Sequence, residues 1–174
     1  HDALPISEEM QYMYAYCFYL DSPVSSLDQT STVDAIDKFQ LFVNRYPNSP
    51  KVAEANEKID GLRKKLEQKE YDNARLYYKM ENYKAATVAL ANLMKDFPSS
   101  TYKEEAMYMI VRASYLYAKN SVDAKKTDRF KLAAEEYLKF VDNFPQSRYL
   151  RDAEKIFDAA KEKLADKSIA GKNS

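Results

Sequence analysis

Three segments of the chain follow one pattern, and this repetition restricts the possible folds more than any other feature. The segments are FVNRYPNSPKVAEA (42–55), LMKDFPSSTYKEEA (93–106) and FVDNFPQSRYLRDA (140–153). Each contains an aromatic residue followed by proline, a serine two residues after the proline and an alanine eight residues after it. The chain has only six prolines, so three equivalent ones indicate an internal repeat.

The residues that precede each of these prolines have helical spacing. An alanine lies twelve residues before the proline, and large apolar residues lie eight and five residues before it. This spacing predicts one buried stripe on a helix, and the alanines allow a second helix to approach closely. The proline then ends the helix because it lacks an N–H. The repeat positions assigned as structural here are Ala35, Phe39 and Pro47, then Ala86 and Pro98, then Ala133, Tyr137 and Pro145.

The repeat predicts an all-α fold built from helical hairpins. Two helices joined by a turn and closed by a proline form the tetratricopeptide unit of about 34 residues. The middle copy, 67–98, fits this unit best, because Ala74, Tyr77 and Ala86 occupy its small, aromatic and small positions and a short turn falls at 80–82. Only two glycines occur in the chain, which disfavours hairpin turns between strands. We therefore predict a tetratricopeptide-repeat α-α superhelix of about three helical hairpins plus a C-terminal capping helix.

Helix bounds follow from the same periodicity. The serines that follow the prolines, Ser49, Ser100 and Ser147, are predicted to cap the next helices. Polar inserts are predicted at 21–32 and 118–128, and both are long for helix connections. The predicted helices include 8–20, 33–45, 50–79 (a single helix despite Gly61), 104–116, 129–143 and 148–164.

The chain is interpreted as one repeat domain with two flanking segments. HDALPI (1–6) matches a peptide encoded by the tail of a sequencing adapter, and we interpret it as foreign; an ordinary loop remnant is the alternative. The repeat domain is predicted to cover 7–165, and 166–174 to form a polar disordered tail.

Composition argues against several functional classes. Lys plus Arg and Asp plus Glu both number 27, so the formal net charge is zero, which argues against nucleic-acid binding. If 1–6 is foreign, the natural segment has no histidine, because His1 is the only one. Cys17, the single cysteine, is predicted to be a small core residue on an aromatic helix. Metal-ligand spacing and a glycine-rich phosphate loop are both lacking, so we predict no catalysis, no cofactor and no bound metal.

Tyrosine is unusually frequent, with 15 residues, and most tyrosines fall on first helices. On such helices they could line a concave groove that binds an extended peptide, or they could fill the core between repeats. The sequence leaves both readings open. The tyrosines on first helices are Tyr12, Tyr14, Tyr16, Tyr19, Tyr71, Tyr77, Tyr78, Tyr108, Tyr115 and Tyr117.

Two long segments carry a family resemblance. They are AYCFYLDSPVSSLDQTSTVDAIDKFQLFVNRYPNS (15–49) and YDNARLYYKMENYKAATVALANLMKDFPSSTYKEEAMYMIV (71–111). In order, they contain an aromatic helix, a polar insert with LDQT, a helix ended by proline, and a second aromatic helix with a short turn. This order resembles the BamD family. Its members are lipoprotein subunits of the β-barrel assembly machinery in the outer membrane of Gram-negative bacteria. The resemblance extends over about residues 7 to 164.

The resemblance implies a non-catalytic scaffold at the periplasmic face of the outer membrane. The implied partners are proteins: the barrel-forming assembly subunit through its POTRA domains, other assembly lipoproteins and unfolded outer-membrane proteins. Family members have five repeats and a lipidated N-terminal cysteine; this chain is expected to correspond to repeats three to five, without that anchor. Cys17 does not match the lipidated cysteine, because it lies among aromatics within a helix.

A partner-binding surface is predicted at one rim of the array. We expect it to combine the turn at 80–82 with the polar insert at 120–128. The alternative function is that of another tetratricopeptide-repeat adaptor, periplasmic or cytosolic, that binds peptides or other proteins. The residues assigned to the predicted partner surface are Tyr78, Lys79, Glu81, Asn82, Asn120, Asp123 and Lys125.

Overall fold

The computed structural model describes residues 7–170, with side chains up to 166. The segment 1–6 and the last four residues therefore lie outside the described range. Within that range the chain forms seven helices and no strand, which confirms the all-α, tetratricopeptide-like prediction. The helices are α1 (Glu8–Asp21), α2 (Thr30–Arg45), α3 (Val52–Lys79), α4 (Tyr83–Asp96), α5 (Lys103–Lys119), α6 (Asp123–Asn143) and α7 (Leu150–Ala170).

The chain divides into two compact units, with the boundary inside α3 between Lys69 and Glu70. The core of the first unit is formed by α1, α2 and the first half of α3, and it is centred on Phe39 and Phe42, both fully buried. The second unit has three apolar clusters along α3 to α7. Leu93 and Phe140 are the large buried side chains of two of these clusters.

Each hinge consists of a proline (Pro47, Pro98 or Pro145) and the serine two residues after it, and the preceding helix ends before the proline as the sequence predicts. The helix before each proline ends at a residue whose backbone N–H bonds the carbonyl four residues earlier, as Tyr46 does to Phe42 at 2.9 Å. The predicted capping by the hinge serine is wrong for α5, whose N-cap is Tyr102 with no side-chain cap hydrogen bond. In each copy the serine Oγ instead accepts the backbone N–H of the residue two positions later, which precedes the helix. These distances are 3.2 Å for Ser49, 3.0 Å for Ser100 and 3.0 Å for Ser147.

The predicted apolar stripe is buried in all three copies. Ala35 and Ala86 have no exposed surface, and Ala133 is 1% exposed. Phe39 and Leu90 are fully buried as well. The third copy differs slightly: Tyr137 is only partly buried, and its ring stacks on Phe157 at 4.4 Å between centroids.

Two predicted helix bounds are wrong because helix extends into segments that were assigned as polar. α6 begins at Asp123 rather than at 129, so the insert predicted at 118–128 shrinks to the three residues between α5 and α6. The segment DAKKTD lacks glycine and proline, and an Asp123–Lys126 ion pair of 3.0 Å supports its first turn. Similarly, α7 continues to Ala170, into the segment predicted as a tail from 166.

The prediction that Cys17 is a core residue is wrong, because Cys17 is exposed. It lies on an outer stripe of α1 that also carries Met13, which is 49% exposed. The counterparts of these two residues in α5 are Met109, 8% exposed, and Ala113, fully buried. α5 packs between α4 and α6, whereas no helix precedes α1 among the described residues.

Tyr77 also differs from its predicted structural role. It is 42% exposed, whereas Ala74 on the same helix is fully buried. Tyr71, which is 3% exposed, supplies the buried aromatic ring beside Ala74 in the apolar cluster. Tyr77 instead lines a surface groove against α4.

Candidate functional site

The first and third proline hinges are joined to the preceding first helix by the same serine–carboxylate contact. Ser147 donates a hydrogen bond to Glu104 Oε1 at 2.6 Å, and Ser49 donates to Glu8 at the equivalent place in the first unit. The serine hydroxyl thus accepts from the backbone and donates to a first-helix carboxylate. This arrangement fixes the angle at which one helix leaves the hinge.

A tyrosine of the first helix lies beneath each hinge, and the second residue after the serine covers its ring. Tyr102 stacks on Tyr71 with centroids 4.1 Å apart, and Tyr149 stacks on Tyr108 at 4.5 Å. In the first unit, Lys51 replaces the covering tyrosine, and its Nζ lies 4.4 Å from the centroid of the Tyr12 ring. These contacts assign the three buried tyrosines to the core and not to an open groove.

An acidic residue five positions after each hinge serine raises the pKa of the buried tyrosine beneath that hinge. Burial raises the pKa of Tyr12, and the Glu54 carboxylate adds to this effect. Burial likewise raises the pKa of Tyr71, with Glu105 as the second cause. For Tyr108 burial again dominates, and Asp152 contributes in the same direction. The three tyrosines therefore stay neutral and serve in packing.

Sequence reasoning missed this acidic position, although the signal was present. Glu54, Glu105 and Asp152 each follow the hinge serine by five residues. A helix of 3.6 residues per turn brings that position back toward the preceding helix.

The loop between α1 and α2 is held by contacts that the sequence did not suggest. Gln29, only 7% exposed, donates from Nε2 to the Val24 carbonyl at 2.8 Å and to the Leu27 carbonyl at 3.0 Å. Its Oε1 accepts the hydroxyl of the fully buried Thr32 at 2.7 Å. A buried amide therefore shapes this loop from within.

Two lysines of α3 hold the same loop from outside. Lys65 Nζ donates to Ser22 Oγ at 2.7 Å, and Lys69 Nζ donates to the Leu27 carbonyl at 2.6 Å. These partners are more than 40 residues apart in sequence, at separations of 43 and 42. The loop is thus an ordered part of the first unit.

The predicted partner surface begins at the turn between α3 and α4. Lys79 and Glu81 are exposed there, and Glu81 has a left-handed backbone with φ of 60°. Asn82 caps α4 by accepting the N–H of Ala85 at 3.3 Å. Tyr78 is partly buried and packs edge-on against Tyr83 at 5.5 Å. This turn therefore offers two exposed charges on a fixed backbone.

The second part of the predicted surface is the turn between α5 and α6. Asn120 ends α5, and its N–H bonds the Leu116 carbonyl at 3.0 Å. Asp123 pairs with Lys126 at 3.0 Å, and Lys125 is exposed beside them. Since successive helices joined by short turns alternate in direction, the two turns lie at the same end of the second unit. This alternation is consistent with the prediction of one shared rim for the seven residues.

A shallow groove extends from this rim along α3 and α4. Its volume is about 460 Å³. Tyr77, Val88 and Ala89 supply apolar surface, while Asn82 and Lys84 supply polar groups near the turn. The combination of an apolar strip and a charged end is typical of a protein-docking surface.

Over residues 7–170, no group of three or more His, Cys, Asp and Glu side chains is arranged to hold a metal ion. Nor does any helix of that range have an apolar stretch sufficient to cross a bilayer.

Comparison with known proteins gives the family. The family described as outer membrane lipoprotein, YfiO, matches the chain over residues 4–129 and again over 74–171. The chain belongs to this outer membrane lipoprotein family. Membership gives a location at the periplasmic side of the outer membrane, as the resemblance implied.

Curated relatives named outer membrane protein assembly factor BamD agree with the resemblance, and three of them are described here. The Caulobacter vibrioides protein is 27% identical over 154 residues, covering 88% of this chain and 47% of the relative. The Neisseria meningitidis serogroup B protein is 29% identical, covering 73% of this chain and 44% of the relative. The Neisseria gonorrhoeae protein is 30% identical, covering 74% and 45%. The chain thus spans about half the length of the curated relatives it matches.

Proposed function

We propose that this protein is a non-catalytic scaffold of the outer-membrane β-barrel assembly machinery. In this role it docks the POTRA domains of the barrel-forming subunit and aids the insertion of outer-membrane proteins. Membership of the outer membrane lipoprotein family and the assembly-factor name of its relatives support the proposal. Other assembly lipoproteins and unfolded outer-membrane proteins are further proposed partners.

The observation that carries the proposal is the rim of the second unit. Helix alternation assigns its two turns to the same end, and Lys79, Glu81 and Lys125 on these turns are exposed. Neither Lys79 nor Glu81 has a charged partner among the described residues, so both are available to a second protein. Charges at the edge of an interface mainly control which partner binds and how fast it associates.

A charge-reversal experiment tests this rim. The variant Lys79→Glu with Glu81→Lys keeps the net charge but inverts the local pattern. We expect its affinity for the isolated POTRA domains of the barrel-forming subunit from the same genome to fall by about tenfold or more, because like charges then face each other. Binding is measured by surface plasmon resonance with the complete protein.

The matched control reverses a neighbouring pair at the other end of α4. Lys95 and Asp96 are both exposed, and the variant Lys95→Glu with Asp96→Lys again leaves net charge unchanged. It should bind as tightly as the unaltered protein. Equal binding by both variants would exclude the rim as the docking surface, and absence of any binding by the unaltered protein would refute the scaffold role.

A further inference from the structure

Two arginines occupy equivalent positions on successive first helices of the second unit. Arg75 follows the buried Tyr71 by four residues, and Arg112 follows the buried Tyr108 by four. Residues four apart lie on the same helix face, so each arginine projects on the side of its tyrosine. The repetition of this pair in two copies suggests a shared use.

Both guanidinium groups lie over aromatic rings. Arg75 is 5.6 Å from the centroid of Tyr71, and Arg112 is 5.7 Å from that of Tyr108. Arg112 also lies 5.5 Å from the ring of Tyr78, which belongs to α3. Because Tyr71 and Tyr108 are buried and stacked on further tyrosines, these arginines rest on rigid supports. Such stacking restricts a guanidinium while leaving its edges open.

The donors of these two arginines have no partner within the described residues. Arg75 and Arg112 are exposed and form no hydrogen bond or ion pair there, their contacts being those with the rings. Arg129 behaves differently, since it donates to Ser121 while it covers Tyr117 at 3.9 Å. The N–H edges of the first two are thus free to bind an external acceptor.

Acidic side chains near Arg75 and Arg112 reduce the non-specific attraction of anions to this surface. The Glu105 carboxylate raises the pKa of Tyr71, and the Asp152 carboxylate raises that of Tyr108. Asp152 also forms an ion pair with Lys155 at 3.2 Å. One carboxylate therefore lies within electrostatic range of each tyrosine that supports an arginine. A ligand must gain from directed contact with the guanidinium edges and not from net charge alone.

We propose that Arg75 and Arg112 form a carboxylate-binding pair for an acidic, extended segment of a protein partner. A guanidinium edge matches a carboxylate through two parallel hydrogen bonds. Side chains on alternate residues of an extended chain lie on one side, about 7 Å apart, a spacing comparable to that of neighbouring helices. The ring of Tyr78 beside Arg112 offers an apolar surface to the intervening backbone. Neither arginine is a residue of the rim, although Tyr78 is, and the pair is tested with a peptide and not with the POTRA domains, so that the two proposals can fail separately.

The test uses the whole chain and a defined probe. The probe is a short fluorescein-labelled serine/threonine peptide with two glutamates on alternate residues, and its counterpart has glutamines in their place. Binding is followed by fluorescence anisotropy at low salt. We expect the glutamate peptide to bind at least about tenfold more tightly than the glutamine peptide, since charge-assisted bidentate contacts are the strong ones.

Two double variants that lose the same charge distinguish specific binding by this pair from general charge attraction. Arg75→Gln with Arg112→Gln should abolish the preference for glutamate. Arg63→Gln with Arg151→Gln should keep it, because these exposed arginines lie on no aromatic ring. Arg75→Lys with Arg112→Lys, which keeps the charge but not the planar fork, should retain only part of it.

Three outcomes would overturn the proposal. The first is a lack of preference for the glutamate peptide in the unaltered chain. The second is an equal loss in both glutamine variants, which would indicate general charge attraction. The third is full preference in the variant that lacks Arg75 and Arg112. Circular dichroism melts of each variant verify that the fold is retained, and both sites are exposed, so folding is expected to survive.

Discussion

Gly61 lies inside the longest described helix, where packing does not require a glycine. It lies in the middle of α3, and a Cβ built at this position meets no atom within 4 Å. Glycine in a helix interior costs up to about 1 kcal/mol relative to alanine because the unfolded chain has more freedom to lose. We therefore expect Gly61→Ala to raise the free energy of unfolding by about 0.5–1 kcal/mol.

Urea unfolding followed by circular dichroism measures this effect. Ala53→Gly, at an exposed position of the same helix, is the reciprocal control and should lower the stability. Unchanged or reduced stability of Gly61→Ala would indicate that the glycine has a conformational role.

Ala86 represents the opposite situation, a small residue that the packing requires. It is fully buried on α4, in line with Leu90 and Leu93. Leucine at this position would have to displace neighbouring side chains, at a cost of about 1–3 kcal/mol. Ala86→Leu should therefore lower the melting temperature, whereas Ala53→Leu, at an exposed position, should leave it nearly unchanged. Equal melting temperatures for the two variants would contradict the close approach of helices at Ala86.

At the scale of elements, the α1–α2 loop shows how a connection becomes ordered. The α5–α6 connection needs only three residues, while this loop runs from Ser22 to Gln29 and is fixed by the Gln29 amide and two lysines of α3. Val24 and Leu27 at its tip are 66% and 57% exposed, so apolar burial does not hold it. Its order depends on hydrogen bonds to side chains.

Removing one lysine should therefore loosen the loop without unfolding the unit. Lys69→Met keeps the aliphatic stem but removes the donor to the Leu27 carbonyl. We expect hydrogen exchange of amides 24–29 to become about fivefold faster, equivalent to about 1 kcal/mol for a charged hydrogen bond at a partly exposed site. Mass spectrometry of the exchanged peptides measures this, and the exposed Lys64→Met is the control. Similar exchange in both variants would rule out the clamp.

At the scale of the whole molecule, the outer face of α1 carries a continuous exposed apolar surface. Met10, Tyr14 and Leu20 are 63%, 55% and 64% exposed on one stripe of this helix. In repeat arrays such faces are normally covered by a neighbouring repeat or capped with polar residues. The chain as it stands should therefore self-associate through α1.

Light scattering tests this expectation. Met10→Lys with Met13→Lys should shift the chain to monomers at a concentration where the unaltered chain forms larger species. Leu132→Lys with Leu138→Lys adds the same charge to exposed positions of α6 and should have no such effect. If the unaltered chain is monomeric, the predicted self-association through α1 is wrong.

Much of this fold could be predicted from the sequence because its determinants are local. The spacing of Ala86, Leu90 and Leu93 defines one helix face, and the proline that follows ends the helix. The hinge serines accept a backbone N–H only two residues away, ahead of the next helix. The rim residues could be placed at one end because short turns force successive helices to alternate in direction.

The tertiary structure alone decided which helix faces are covered. Periodicity places Cys17 and Ala113 on equivalent faces of α1 and α5, but only the neighbours of α5 bury that face. The contact of Lys69 with the loop spans 42 residues, and no local pattern encodes it. A helical pattern identifies residues that point the same way, whereas burial, pairing and exposure depend on what another part of the chain brings against them.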